Sequence, residues 1–316
     1  MANKFHSNIG NQPPSTHIGR DSLPTVEPFP ERHRTAMRSL KKKLDAFLED
    51  PNEEENLHDV RTAIRRAEAS MHTMSKRFRE RQKAKRILSK FEDLMRRSVK
   101  VRDLDAVRAR LSYYPLNSVL DRVLRDMERS RRRQLKSSIA VAASIPKLSH
   151  LCPDANDVQD EEKARKRLDK VVKKLMSSVD RELQVVLSEP DGTEALHALR
   201  KDSRRLRYSL EGMPLHGEDS TLVKTLTLWQ DLLGAVRDGD VTIYYLEGLE
   251  RSAIVDRILN TESARRRHDY EKFARTCSGA AMSLSATSGS SSKGLRRIRG
   301  LRKDERIIRY SCRTFV

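Results

Sequence analysis

The chain repeats one pattern of apolar and basic residues in two widely separated segments. One runs from Leu57 to Met71 and the other from Ala195 to Glu211. At about 100° per residue, an α-helix places the apolar side chains of each segment on one side and the basic side chains on the other. Each segment also follows an acidic, turn-like stretch suited to a helix N-terminus. The repeat therefore predicts two amphipathic helices that the fold packs in equivalent ways.

The basic sides of these helices agree position by position. Both begin with a histidine, and arginines follow at the third, seventh and eighth positions after it. The residues are His58, Arg61, Arg65 and Arg66 in the first segment and His197, Arg200, Arg204 and Arg205 in the second, which adds Lys201, Arg207 and Tyr208. Like charges at i,i+4 destabilise a helix by about 0.2–0.5 kcal/mol per pair. Two interpretations are open: a solvated basic surface, or a surface built to bind a polyanion.

The agreement extends to the flanking helices. A helix with a basic stripe precedes each segment, a helix carrying Arg-Asp-x-Asp follows it, and a fourth basic helix closes each copy. The stripes are Arg34, Arg38 and Lys41 in the first copy and Lys163, Arg167, Lys170 and Lys174 in the second. We expect all four basic stripes to converge, with short connections between antiparallel neighbours.

The sequence thus predicts an all-α fold of two pseudo-symmetric four-helix bundles that arose by internal duplication. The first copy spans about 31–150 and the second about 160–280, separated by a break at 151–160. Residues 1–30, rich in Pro, Ser and Asn, are predicted to be a disordered arm. Residues 281–316, which include a serine run, are predicted to be a flexible basic tail.

Charge and composition restrict the partners. Lys and Arg number 64 against 45 Asp and Glu, giving a formal charge of +19, which favours an anionic partner. Aromatic residues make up 5%, too few for the stacking that single-stranded nucleic acid uses. The three cysteines have no paired spacing, no apolar run reaches membrane-spanning length, and no secretory signal begins the sequence. We expect a reduced, cytoplasmic protein without a membrane partner.

The duplicated His-x-x-Arg with paired arginines, together with the downstream Arg-Asp-x-Asp, resembles the CHAD family (conserved histidine α-helical domain) from about Glu31 to Ala280. The second copy is the closer match. In the first, Glu68 occupies the position matching Arg207, and the segment before Arg-Asp-x-Asp lacks the Leu-Gly step. The resemblance implies basic helices that face a central channel, binding of inorganic polyphosphate, and in some members association with polyphosphate granules. Some members carry a triphosphate-processing CYTH domain; no segment here resembles one, so a stand-alone binding module is expected.

Catalytic motifs are absent from the sequence. It contains no P-loop, no His-Glu-x-x-His and no nucleophile elbow, so we expect neither an enzyme nor a cofactor. The aspartate pairs Asp103/Asp105 and Asp238/Asp240 could bind a metal, but the adjacent arginines favour internal ion pairs.

Three residues of the basic surfaces allow two roles each. We interpret His58 and His197 as phosphate contacts because they agree in register; the alternative is a structural histidine at the helix start. Tyr208 could donate its hydroxyl to phosphate or cover arginine side chains. Polyphosphate binding is the predicted function, and the alternative is a nucleic-acid-binding or scaffolding protein that uses the same basic surface.

Overall fold

The computed structural model describes residues 28–153, 160–213 and 218–286, and every regular element in these ranges is helical. The prediction of an all-α fold is confirmed. The α-helices are α1 (Phe29–Glu49), α2 (Glu54–Met71), α3 (Lys76–Arg79), α4 (Gln82–Arg97), α5 (Val99–Leu111), α6 (Ser118–Ala143), α7 (Glu161–Ser188), α8 (Thr193–Glu211), α9 (Glu218–Glu247) and α10 (Ala253–Ala286). A short 3-10 helix, Leu148–Leu151, follows α6. Within the described ranges, no helix is long and apolar enough to cross a bilayer.

Two predicted boundaries differ from the observed ones. Helix α1 begins at Phe29, inside the predicted N-terminal arm, because proline fits the first helical turn and the Phe29 ring is buried against the core of the second half. The Phe29 amide also donates to the Glu161 carboxylate at 3.3 Å. Helix α10 continues to Ala286, past the predicted start of the tail, through a stretch rich in helix-forming Ala, Met and Leu. The predictions for 1–27 and 287–316 lie outside the described residues.

Each half of the chain has its own apolar core. The first core is formed mainly by α1, α2, α4 and α6, and the second by α7, α8, α9 and α10. The apolar sides predicted for the two histidine-bearing helices are buried in these cores: Leu57, Val60, Ile64, Ala67 and Met71 in α2, and Leu196, Leu199, Leu206 and Leu210 in α8. Their basic sides are therefore left for the surface between the halves, where α2 packs against α8.

A third apolar cluster joins the two halves. It combines Val107 and Leu111 of α5 with residues of α6, α9 and α10, including Leu246 and Ile258. Beside it, the buried Arg110 guanidinium donates to Glu262 at 2.6 Å, to the Ala235 carbonyl at 2.6 Å and to Asp269 at 3.2 Å. The Glu262 side chain is fully buried and also accepts the Tyr114 hydroxyl at 2.8 Å. A hydrogen-bonded ion pair thus fixes how the halves meet.

Gly239 lets α10 approach α9 closely. A Cβ atom at Gly239 would lie 2.9 Å from Arg266 Cβ, which cannot move without the helix, and 3.0 Å from its Cγ. We expect Gly239→Ala to destabilise the protein by about 1–2 kcal/mol, because the overlap outweighs the higher helix propensity of alanine. Urea denaturation measures the change. Gly234→Ala is the matched control, since its Cβ would meet only Arg200 Nη2 at 3.9 Å. Equal stability of the two variants would contradict this account of the α9–α10 packing.

Candidate anion-binding site

Packing of α2 against α8 brings four arginines of the two basic surfaces together. These are Arg61 and Arg65 of α2 and Arg200 and Arg204 of α8, called here the arginine core. Each is close enough to others to affect their ionisation: Arg204 to Arg61, and Arg65 to Arg204 and Arg200. The two helices therefore place four like charges at their contact, each helix contributing two residues one turn apart.

The arginine core has few partners of its own. Arg61 donates to the Met95 carbonyl at 2.7 Å and to the Ser98 hydroxyl, both neutral acceptors. Arg65, Arg200 and Arg204 make no hydrogen bond or ion pair with any residue in the described ranges, although each is mostly shielded from solvent. The Nε atom of Arg200 is fully buried and unpartnered. No carboxylate of the described residues forms an ion pair with Arg65, Arg200 or Arg204, and Asp238 and Glu68 oppose the lowering of the pKa of Arg200 and Arg65 only in part.

The pKa values of the arginine core reflect its burial and its lack of partners. Burial, followed by the neighbouring arginines, lowers the pKa of Arg200 to about 9. The same two causes lower the pKa of Arg61, Arg65 and Arg204 to about 10. A charged group whose pKa moves in this direction is destabilised in the folded protein. A bound anion would supply both the missing hydrogen-bond acceptors and the missing negative charge.

The two histidines lie in different surroundings. Partial burial, and then Arg237 and Arg200, lower the pKa of His197, which places it at the edge of the arginine core. His58 is half-exposed, and its Nδ1 atom lies 3.2 Å from Glu55 Oε1. With Asp59, these two residues bring three possible metal-ligand atoms within 4.8 Å of one another, but Asp59 already pairs with a lysine of α1. The sequence register of the histidines is therefore not matched by an equivalent environment.

Carboxylates close the C-terminal side of the core. Glu211, at the end of α8, pairs with Arg207 at 2.8 Å and with Arg66 of α2 at 3.3 Å. The buried Tyr208 ring lies beneath both guanidinium groups, whose central carbons are 4.6 and 5.4 Å from the ring centroid. This position corresponds to the second role considered for Tyr208, that of covering arginine side chains.

Glu68 adds a further negative group on the same side. Burial raises the pKa of this carboxyl, and the nearby Arg205 and Arg65 oppose the rise. Arg205 is largely exposed and lies 3.5 Å from Asp202, while Lys201 is exposed. Beyond the arginine core, the predicted basic side of α8 is therefore partly neutralised by acidic residues.

The basic stripes of α1 and α7 pair mainly within their own helices. The ion pairs are Arg34–Glu31 at 3.1 Å, Arg38–Glu31 at 2.7 Å, Lys41–Asp45 at 2.5 Å and Lys163–Asp160 at 3.2 Å. Arg167 donates to the Thr73 carbonyl just after α2 at 2.6 Å, and Lys170 and Lys174 are exposed. The structure brings the basic sides of α2 and α8 together, but it does not draw these stripes into the arginine core.

A fifth arginine borders the core and was not among the predicted site residues. Arg237 of α9 forms an ion pair with Asp103 of α5, across the two halves, and its charge lowers the pKa of Arg61, Arg200 and Arg204. The sequence signal for Arg237 is the Arg-Asp-x-Asp motif, for which the sequence favours internal ion pairs over metal binding and does not indicate an anion contact. On this N-terminal side of the core, burial also raises the pKa of Asp238.

The second aspartate of each motif forms a buried or half-buried ion pair. Asp105 accepts from Arg131 Nε at 2.6 Å, and Asp240 accepts from Arg266 Nε at 2.8 Å. In both pairs the arginine follows the aspartate by 26 residues. These contacts, with Arg237–Asp103, are the internal ion pairs that the adjacent arginines had indicated.

Comparison with known proteins identifies relatives by family and by fold. A model of the CHAD domain matches residues 31–247. The CHAD domain from the plant Ricinus communis shares 16% identity at a TM-score of 0.53, covering 78% of this chain and 89% of that one. PptA from Streptomyces chartreusis shares 17% identity at a TM-score of 0.49, covering 81% of this chain and 100% of that one. None of the curated proteins compared with the chain matches it.

Proposed function

The chain belongs to the CHAD domain family, and from this premise we propose that it binds inorganic polyphosphate at the arginine core. One observation carries the proposal: Arg65, Arg200 and Arg204 are mostly buried and have no acidic partner among the described residues. Buried charges without partners are costly, so a protein that keeps three together favours binding an anion there. Polyphosphate offers a dense line of anionic oxygens, which the planar guanidinium fork binds well.

The proposal includes an architecture of two duplicated four-helix units. The first would comprise α1, α2, the α4–α5 pair and α6, and the second α7 to α10. Two separate cores support this division. Two equivalent arginines also support it. Each donates to a carbonyl in the connection before the histidine-bearing helix of its own half, Arg131 to that of Asn52 and Arg266 to that of Pro190. In this arrangement the pseudo-twofold axis passes where α2 meets α8, and polyphosphate binds beside it.

As proposed, the chain is a binding module and not an enzyme. No described residue of the arginine core is a nucleophile or a carboxylate placed to hold a catalytic metal, and the core instead offers hydrogen-bond donors. A cytoplasmic location, with association to polyphosphate granules, is the setting in which such a module would meet its ligand.

Affinity is expected to rise from orthophosphate to polyphosphate and to fall steeply with salt, because each neutralised phosphate releases counterions. Isothermal titration calorimetry with phosphates of graded length, in defined salt, measures both dependences. Binding that matches single phosphate at every length would contradict the proposal.

Competition separates polyphosphate from nucleic acid. Both carry phosphates, but an arginine core without exposed aromatic rings offers no surface for base stacking. We expect polyphosphate to displace a fluorescent DNA oligonucleotide at a far lower concentration of phosphate units than unlabelled DNA does. The reverse order of potency would favour the nucleic-acid-binding alternative.

Glu68→Arg is expected to tighten polyphosphate binding by about 1–2 kcal/mol, roughly tenfold, because it removes a carboxylate that opposes the ligand and adds a donor. Calorimetry with one polyphosphate length measures the gain. Glu49→Arg, at the exposed end of α1, changes the net charge equally and is the matched control. If both variants gain alike, the effect comes from overall charge and the position of Glu68 has no special role.

A further inference from the structure

At the α2–α8 contact, the arginines that have no carboxylate within ion-pair distance occupy a short stretch. Arg61 and Arg65 are four residues apart, as are Arg200 and Arg204, so each pair spans a rise of about 6 Å along its helix. Three of these arginines have no partner among the described residues, and Arg61 has only neutral ones. The region in which a ligand can gain new charge-assisted hydrogen bonds is therefore only about one helical turn long.

Carboxylates lie at both ends of this stretch. Towards the helix C-termini, Glu211 holds Arg66 and Arg207, and Glu68 adds a second negative group. Towards the N-termini, Asp103 holds Arg237, the arginine that borders Arg200. A phosphate chain that extended beyond the core would next meet Arg66 and Arg207 on one side and Arg237 on the other, which are already paired with carboxylates that repel it.

The outer stripes offer little additional binding. Arg38 and Lys41 are exposed and pair with acidic residues of α1, and Lys170 is exposed on α7. Contacts between exposed charges typically contribute little and are screened by salt. Phosphates beyond the core can therefore interact with these stripes only weakly.

We infer that the arginine core is filled by a short oligophosphate of about three or four phosphate units, the number whose negative charge the four guanidinium groups can balance. This inference rests on the proposed function and narrows it. A long polymer would be held at one such segment at a time, with its remaining length free for other molecules of the protein. Tripolyphosphate and tetrapolyphosphate would then be complete ligands.

The test is calorimetric titration of the full chain with orthophosphate, tripolyphosphate, tetrapolyphosphate and a polyphosphate of long chain, expressed per binding site. We expect the per-site dissociation constants of the two oligophosphates to lie within about tenfold of that of the long chain. The binding constant of long-chain polyphosphate should depend on salt as expected for about four arginine–phosphate contacts. A plot of log K against log salt concentration should therefore have a slope near about −3.

Paired variants connect the result to the core. Arg65→Ala with Arg204→Ala should weaken tripolyphosphate and long-chain binding alike, whereas Arg38→Ala with Lys170→Ala should change long-chain binding by less than about threefold. Circular dichroism and thermal denaturation verify that each variant is folded. The inference would be overturned if tripolyphosphate bound more than about a hundredfold more weakly per site than long-chain polyphosphate, and if Arg38→Ala with Lys170→Ala lost affinity for the long chain. The proposed function would still stand. Failure of every polyphosphate to bind better than orthophosphate would overturn both.

Discussion

Replacing Arg200 and Arg204 together by alanine is expected to weaken polyphosphate binding by about 4 kcal/mol, roughly a thousandfold. Both guanidinium groups lie at the α2–α8 contact without partners among the described residues, so their hydrogen-bonding capacity is available to the ligand. The equivalent change in α2, Arg61→Ala with Arg65→Ala, should cost less, because Arg61 already donates to a carbonyl and a hydroxyl. Calorimetry with one polyphosphate length compares the two double variants.

The same α8 variant should be more stable than the wild type when no ligand is present. Removing two mostly buried, unpaired cations relieves about 2 kcal/mol, which corresponds to a rise in Tm of roughly 4–8 °C. The apolar side of α8 is untouched, and alanine favours helix. A variant that loses affinity while gaining stability has lost a binding residue and not its fold. Equal affinity losses from both double variants would show that the two halves contribute alike.

The lowered pKa of Arg200 also predicts how the stability of the protein depends on pH. Because the pKa of Arg200 is lowered to about 9, the unfolded chain binds more protons than the folded one above that pH. The destabilising contribution of Arg200 is therefore fully present at neutral pH and is lost progressively as the pH rises above about 9. In the double variant this contribution is absent, so the gap in Tm between variant and wild type should narrow in alkaline buffer.

Loss of the buried ion pair between the halves should have the largest effect on stability. We expect Glu262→Ala to lower the free energy of unfolding by about 3–5 kcal/mol, because it leaves the buried Arg110 guanidinium without its closest carboxylate. Arg110→Ala should have a similar effect, since Glu262 is fully buried. Urea denaturation measures both changes. Replacing the two together by Met and Leu should recover part of the loss, since it removes both charges of the fully buried pair, while the carboxylate of Asp269 loses its arginine.

A surface ion pair is the control for this experiment. Arg129 and Asp126 of α6 are also paired but exposed, and Arg129→Ala should change stability by less than about 1 kcal/mol. If Glu262→Ala is as mild as this control, the ion pair does not hold the halves together, and the apolar cluster beside it is sufficient.

The sequence predicted the elements that depend on periodicity. The apolar positions of α2 and α8 recur with the helical period, so their burial and the basic surfaces opposite them could be foreseen. The end of α10 could not, because the glycine and serines near its C-terminus were interpreted as the start of a tail, although Ala, Met and Leu among them favour helix.

The sequence could not predict which basic side chains form ion pairs and which do not. Arg207 and Arg204 are three residues apart on one helix, yet Arg207 pairs with Glu211 while Arg204 has no partner among the described residues. Likewise, the contact of Arg110 with Glu262 joins residues 152 apart and depends on how α5, α9 and α10 pack. Such differences arise from tertiary packing, which residue spacing within one helix does not encode.

The most direct test of the arginine core is the protection of individual arginines from chemical modification. Phenylglyoxal labelling, followed by mass spectrometry of the digested protein, gives a modification rate for each arginine with and without polyphosphate. We expect polyphosphate to slow the modification of Arg65, Arg200 and Arg204 selectively, while the exposed Arg122 and Arg133 of α6 react at unchanged rates. Uniform slowing at all five arginines, or slowing at Arg122 and Arg133 alone, would contradict the assignment of the site to the α2–α8 contact.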